Sequence, residues 1–166
     1  PLDDWMLRHT GNAVDRDGKC AMTGCVDDAI LARLMAHPYF VAEPPKSLDR
    51  NFFEAGSLVT LSVENGAATL AAFTAEAVAR AAAFAPEPPG MWIVCGGGRH
   101  NRAIMAGLGE RLSGAVMTAE QAGFDGDAVE AEAWAYLGVC ALKGLAITFP
   151  RTTGVAEAMT GGVVTS

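Results

Sequence analysis

The 166 residues are 51% hydrophobic and 19% charged, a balance that suits one soluble domain with a single sizeable core and leaves no room for a second full domain. Twelve Lys and Arg against nineteen Asp and Glu give a net charge of −7. With no basic cluster to track a phosphate backbone or an anionic bilayer, nucleic acid and membrane drop out as expected partners.

Positions 2–9 predict an amphipathic helix closed by Gly11, and residues 12–24 a turn-rich loop in which Asp15, Arg16 and Asp17 fix a turn. Asp27 starts a second helix through Leu31, Leu34 and Met35, which Pro38 stops. Residues 42–56 carry Pro44 and Pro45 and the polar run from Lys46 to Arg50, so they form no regular element and pass over the surface or line a cleft. From Ser62, an N-cap, to position 85, apolar residues at Leu70, Phe73, Ala77, Ala81 and Phe84 keep helical spacing. Glu76 and Arg80 interrupt this stretch, which reads as a packed core helix and not a membrane span. Pro86, Pro88 and Pro89 then make a short stiff link.

The segment that follows is the most informative. Residues 92–95 read as a strand apolar on both faces, delivered into Gly96, Gly97 and Gly98 and then a helix opening near Asn101. Three glycines let the backbone turn sharply and let a ligand approach its N–H groups, while the helix start points its positive end at the same place. A dinucleotide-binding fingerprint fails here, because Asn101 stands where its third glycine would be and no acidic residue ends the next strand. A P-loop fails for want of a Lys-Ser/Thr pair after the glycines. A tight turn without ligand accounts for some glycine but does not require three in a row.

Beyond the glycines, Ile104, Met105, Leu108 and Leu112 form the stripe of a helix, and residues 115–118 a second strand, completing a right-handed parallel crossover. Asp127 and Glu130 have capping-box spacing before a long helix with Val129, Ala133, Leu137, Cys140 and Ala141 on one face, ended by Gly144. The Thr-, Gly- and Val-rich tail from Ile147 suits an irregular strand. Five helices and two strands are too little sheet to protect itself, so further strands are expected upstream of Pro1. Cys20, Cys25, Cys95 and Cys140 include no CxxC pair and read as small reduced thiols, with Cys95 and Cys140 inside apolar elements; this points to the cytoplasm and to no metal site.

Several of these pieces occur in a recognisable order: the Asp15 to Gly18 turn, the run from Lys46 to Arg50, Cys95-Gly-Gly-Gly-Arg-His-Asn101, and Asp127-Ala-Val-Glu-Ala131 leading into Ala133-Trp-Ala-Tyr-Leu137. Over nearly the whole chain this resembles the C-terminal half of an anhydro-N-acetylmuramic acid kinase, in the acetate and sugar kinase, Hsp70 and actin superfamily. The resemblance implies an α/β fold: a partial ribonuclease-H-like domain of the actin-like ATPase superfamily, helix-rich, with its first strands upstream of Pro1. It divides the chain into a helix-and-loop insertion, 1–56, and a core portion, 57–166. It implies an enzyme that uses ATP with Mg²⁺, and water, to convert 1,6-anhydro-N-acetylmuramic acid to N-acetylmuramic acid 6-phosphate in bacterial cell-wall recycling.

On that resemblance Gly96, Gly97, Gly98 and Asn101 contact the nucleotide, Asn101 also serving as a helix cap. Glu130 is either a sugar-binding cleft residue or only the reciprocal carboxylate of its capping box. Arg50 and Lys46 are candidates for the sugar's lactyl carboxylate or a phosphate, or are solvated loop charges. His100 is either a neighbour of the nucleotide or a surface side chain. The family's first phosphate loop, and the Asp-Thr-Gly-Pro-Gly-Asn segment carrying its catalytic base, have no counterpart here. No catalytic residue is therefore expected within the chain, and the 166 residues alone are expected to be inactive. The other half of the enzyme is the expected partner, with homodimerisation as a further one. Two other readings fit the same residues: a non-catalytic nucleotide-binding or self-associating module, and a different sugar kinase of the superfamily.

Overall fold

The computed structural model describes residues 1–49, 52–53, 58 and 60–163. Helix α1 (Leu2–Thr10) is closed by Gly11, whose left-handed φ of 74° lets its N–H reach Leu7 O. Two single turns, Arg16–Gly18 and Ala21–Thr23, lead to α2 (Asp28–Met35), where Asp27 caps the Ile30 N–H. Helix α3 (Val63–Ala81) is capped by Ser62 on Asn65 N–H and tightens into the turn Ala82–Phe84. Then follow β1 (Met91–Val94), the turn Gly97–His100, α4 (Arg102–Arg111), β2 (Ala115–Thr118), α5 (Val129–Leu142) and the short α6 (Pro150–Thr153). The tail adds one antiparallel bridge, Thr148 to Met159, and no full strand among the described residues.

Helix α3 is the axis of the core. Its first half packs on α1 and α2 through Leu2, Trp5, Met6, Ile30, Ala67, Leu70 and Ala71, with Leu58 fully buried among them. Trp5 lies so close to α3 that a Cβ at Gly66 would sit 2.2 Å from its ring, and its indole N–H donates to Val63 O. Phe40 and Phe73 build a second cluster with Met35, and Ala75, Leu108 and Leu112 a third, under Trp92, Val94 and Val116. Helices α1 and α2 and the turns Ala21–Thr23 and Pro38–Phe40 are therefore packed directly against α3. By length and composition the helix 63–84 would also cross a bilayer, but its burial in these clusters marks it as the core helix.

The two strands pair in parallel, Met91 opposite Ala115 through Val94 opposite Thr118, with α4 as the crossover. Two expectations need correction. Strand β1 is not buried on both faces: Met91 and Ile93 are exposed, because among the described residues β2 is its one partner and α4 covers a single face. Cys95, at the strand's end, is exposed as well, while all four cysteines are free thiols. Helix α5 buries only Cys140; Leu137 and Ala141 are half-covered, Ala133 is exposed, and Trp134, Tyr136 and Leu142 stand in solvent.

Candidate functional site

Both parallel strands deliver their C-terminal ends to one place, which is where open α/β sheets bind ligands. Strand β1 runs into the glycines, and β2 into the segment 119–128. Facing the glycines, the turn 15–18 packs on the start of α4. A Cβ at Gly18, where φ is 68°, would lie 2.5 Å from Asn101 Oδ1 and 2.8 Å from Arg102 N. Between these parts lies a cleft of about 680 Å³, lined among others by Leu2, Asp15, Arg16, Gly97, Gly98 and Asn101.

The three glycines have different reasons to be there. Gly96 adopts φ 70° and ψ −178°, a conformation essentially closed to other residues. Gly97 and Gly98 have ordinary backbones, and a Cβ built on either meets nothing within 4 Å. Among the described residues, no packing thus demands glycine at 97 or 98; the space they leave opens into the cleft. As the first residues of their turn, these two also have N–H groups with no acceptor inside it.

Asn101 is buried and caps α4, its Oδ1 accepting from Ala103 and Ile104 N–H at 3.1 Å each. His100 is exposed on the cleft wall. Asp15 is buried and accepts from Cys20 N–H at 2.8 Å and Ala21 N–H at 3.0 Å, which confirms its turn-fixing part. Arg16 and Asp17 line the cleft beside it.

The residue that the sequence reading passed over is Arg99. Its side chain is 2% exposed and pairs with Glu120 at 2.8 Å and Asp127 at 2.9 Å, and it donates to Gly96 O at 2.9 Å. The Gly96 N–H in turn donates to Gly126 O. A buried guanidinium needs such counter-charges, and it takes Asp127 away from the helix it was expected to cap. Helix α5 accordingly opens at Val129 with no side-chain cap, and Asp125 accepts the Asp127 and Ala128 N–H groups instead. The capping box is therefore not formed, and Glu130 stands exposed on the first turn of α5. The hydrogen bond and the charge of Arg99 hold the Asp127 carboxyl below its ordinary range. Glu120 is brought down to about 2, first by its own backbone N–H and then, against some desolvation, by Arg99 and Thr118. An arginine after three glycines, with acids 21 and 28 residues on, carries no local signal that would reveal this pairing.

A model of the family described as anhydro-N-acetylmuramic acid kinase matches residues 1–166. The chain belongs to that family. It is 50% identical to an anhydro-N-acetylmuramic acid kinase of Methylorubrum populi, over 99% of this chain and 44% of the relative. For the kinase of Caulobacter vibrioides the identity is 53%, over 96% of the chain and 43% of the relative. For that of Agrobacterium fabrum it is 46%, over 98% and 44%. The chain thus spans less than half the length of the curated relatives it matches.

Within this member of the anhydro-N-acetylmuramic acid kinase family, the cleft gathers Gly97, Gly98, Asn101 and His100, with Gly96 at the loop's hinge. Lys46 is not gathered there. It donates to Tyr39 O at 2.8 Å with its ammonium 4.1 Å from the centre of the Phe84 ring, in a separate groove along α3. Its stem and charge are used to fasten the 42–49 loop. Arg50 lies outside the described residues.

Proposed function

We propose that this chain is the C-terminal part of a bacterial cytoplasmic sugar kinase, of the ribonuclease-H-like fold of the actin-like ATPases. In this reading the complete enzyme uses ATP and water to open 1,6-anhydro-N-acetylmuramic acid and phosphorylate its O6, giving N-acetylmuramic acid 6-phosphate. The observation that carries it is the open glycine pair. Gly97 and Gly98 carry no side chain where no packing among the described residues requires it, on the wall of a cleft at the ends of two parallel strands, in a chain of this kinase family.

The geometry supports the following roles. Gly97 and Gly98 present N–H groups to the nucleotide's phosphates, which a side chain at either position would obstruct. Asn101 caps α4 and keeps that helix start directed at the cleft. Phosphoryl transfer is chiefly a matter of positioning and of balancing charge, and here the chain's part is to hold the nucleotide. Mg²⁺ fits as a companion of the ATP phosphates rather than as an ion caged by this chain, since no group of three or more His, Cys, Asp or Glu among the described residues converges on one point. The general base and the other phosphate loop belong to the remaining half of the enzyme, and Glu130 on α5 is assigned to the sugar side. The 166 residues alone are then inactive.

The test is sugar-dependent ADP release by the complete polypeptide containing this segment, run beside the 166 residues alone. Turnover by the first and none by the second is expected. Turnover by the segment alone would overturn the division of labour, and silence of the complete protein with this sugar would overturn the substrate. A second reading, self-association, draws on the solvent-exposed Trp134, Tyr136 and Leu142 of α5. The solution mass of the complete protein with and without nucleotide checks it, and a homodimer is compatible with the kinase.

A further inference from the structure

We infer that Arg99 is the positioning residue of the nucleotide loop: by holding Gly96 O on the buried side, it turns the Gly97 N–H toward the cleft. The inference rests on the kinase reading above and adds a part that the loop's glycines cannot supply.

The peptide between Gly96 and Gly97 is planar and trans, so its C=O and N–H point in opposite directions. Fixing one fixes the other. Gly96 O is held by the Arg99 guanidinium at 2.9 Å, and Gly96 N–H by Gly126 O at 3.1 Å, so both polar groups of Gly96 are tied down behind the loop. The opposite side of the same peptide carries the Gly97 N–H, and Gly97 lines the cleft. A glycine in so rare a conformation holds one orientation only when its surroundings over-determine it. Here they are Gly126 O, the Arg99 backbone N–H, which donates to Gly96 O at 3.3 Å, and the Arg99 guanidinium, the one side chain among the three. Arg99 is itself immobilised by Glu120 at 2.8 Å and Asp127 at 2.9 Å, on the segment that follows β2.

Gly126 supplies an independent sign that this arrangement is built around the guanidinium. A Cβ there would stand 2.4 Å from Arg99 Nε and 2.7 Å from Glu120 Oε1, so glycine at 126 is what gives the ion pair its space. Arg rather than Lys suits the task, because its planar fork meets a carbonyl and two carboxylates at once.

The experiment uses the complete polypeptide and two readouts: the Kd of ADP by calorimetry, and the KM values of ATP and sugar in turnover. Arg99→Ala is expected to raise both the ADP Kd and the ATP KM by about tenfold or more, leaving the sugar KM within about twofold. Arg99→Lys should recover part of the loss. A merely structural fastener would instead lower the active fraction and leave both KM values in place. Should Arg99→Ala not fold, Gly126→Ala carries the test, since its methyl group displaces the guanidinium while keeping the charge. Unchanged ADP affinity in a folded Arg99→Ala, or in Gly126→Ala, overturns the inference. A wild-type protein that binds ADP but does not turn over the sugar would count against the substrate assignment alone, whereas failure of the wild type to bind ADP would overturn the kinase reading and this inference with it.

Discussion

Trp5 on α1 is 1% exposed and Trp134 on α5 is 66% exposed, although both stand within helices. The difference lies in what surrounds each helix. Trp5 has its partners in this chain: α3 supplies Gly66 as a seat and Val63 O as an acceptor. Residues 133–142 of α5 contain no charged side chain, yet only Cys140 among them is buried. A helix apolar all round belongs inside a larger body, and nothing among the described residues surrounds it. Local sequence thus decides that a helix forms, whereas burial is decided by a second surface.

The sharpest way to break this contrast is at Trp5. Trp5→Ala removes the largest side chain of the α1 to α3 cluster together with the indole N–H that donates to Val63 O, a cost of about 3–5 kcal/mol. Urea unfolding should show it as a large fall in midpoint. A loss below about 1 kcal/mol would mean that α1 contributes little to the core.

Much of the better-packed region was legible because its signals are local. Ser62, Asp27 and Asn101 cap the helices they were expected to start, and Gly11 ends α1 in the left-handed conformation that favours glycine. The parallel pairing of the two strands and the open glycines at the end of β1 were legible for the same reason. What stayed hidden depends on groups far apart in the chain. Asp127 has the spacing of a cap, but a buried arginine 28 residues earlier claims its carboxylate. Lys46 has the look of a ligand contact, but Tyr39 O and the Phe84 ring occupy it. The exposure of β1 and α5 was illegible because an apolar side chain reports a preference for burial, not the presence of a cover.

Where the two regions meet, Asn101 offers a smaller test. Asn101→Ala leaves the Ala103 and Ile104 N–H groups without their cap and should cost about 1 kcal/mol. Asn101→Asp, which keeps the acceptor, should recover most of it in the same urea titration. Loss of ADP binding beyond that loss of stability would indicate a direct part for Asn101 in holding the nucleotide.

The join between glycine loop and β2 segment should also respond to acid. The carboxyls of Glu120 and Asp127 are held below their ordinary values in the folded chain, so the unfolded chain takes up their protons first as pH falls. The stability they contribute is fully present above about pH 4.5 and is lost on the way down to about 2. Glu120→Gln should flatten this part of the profile of urea midpoint against pH. An unchanged slope would mean that neither the carboxylate's bond to its own backbone N–H nor its pairing with Arg99 persists in solution.

The smallest effect is expected at the other tryptophan, and it sharpens the comparison most. In the 166 residues alone, Trp134→Ala removes a side chain that is already 66% exposed, so stability should change by less than about 0.5 kcal/mol. In the complete polypeptide, more than twice as long if it matches its relatives, the same change should cost several times more, because a cover for α5 then exists to be lost. The two measurements together separate a helix that is intrinsically a surface helix from one that awaits its neighbour. Equal and small losses in both settings would show that α5 keeps its tryptophan in solvent in the whole enzyme, and that its apolar surface serves contact between molecules instead.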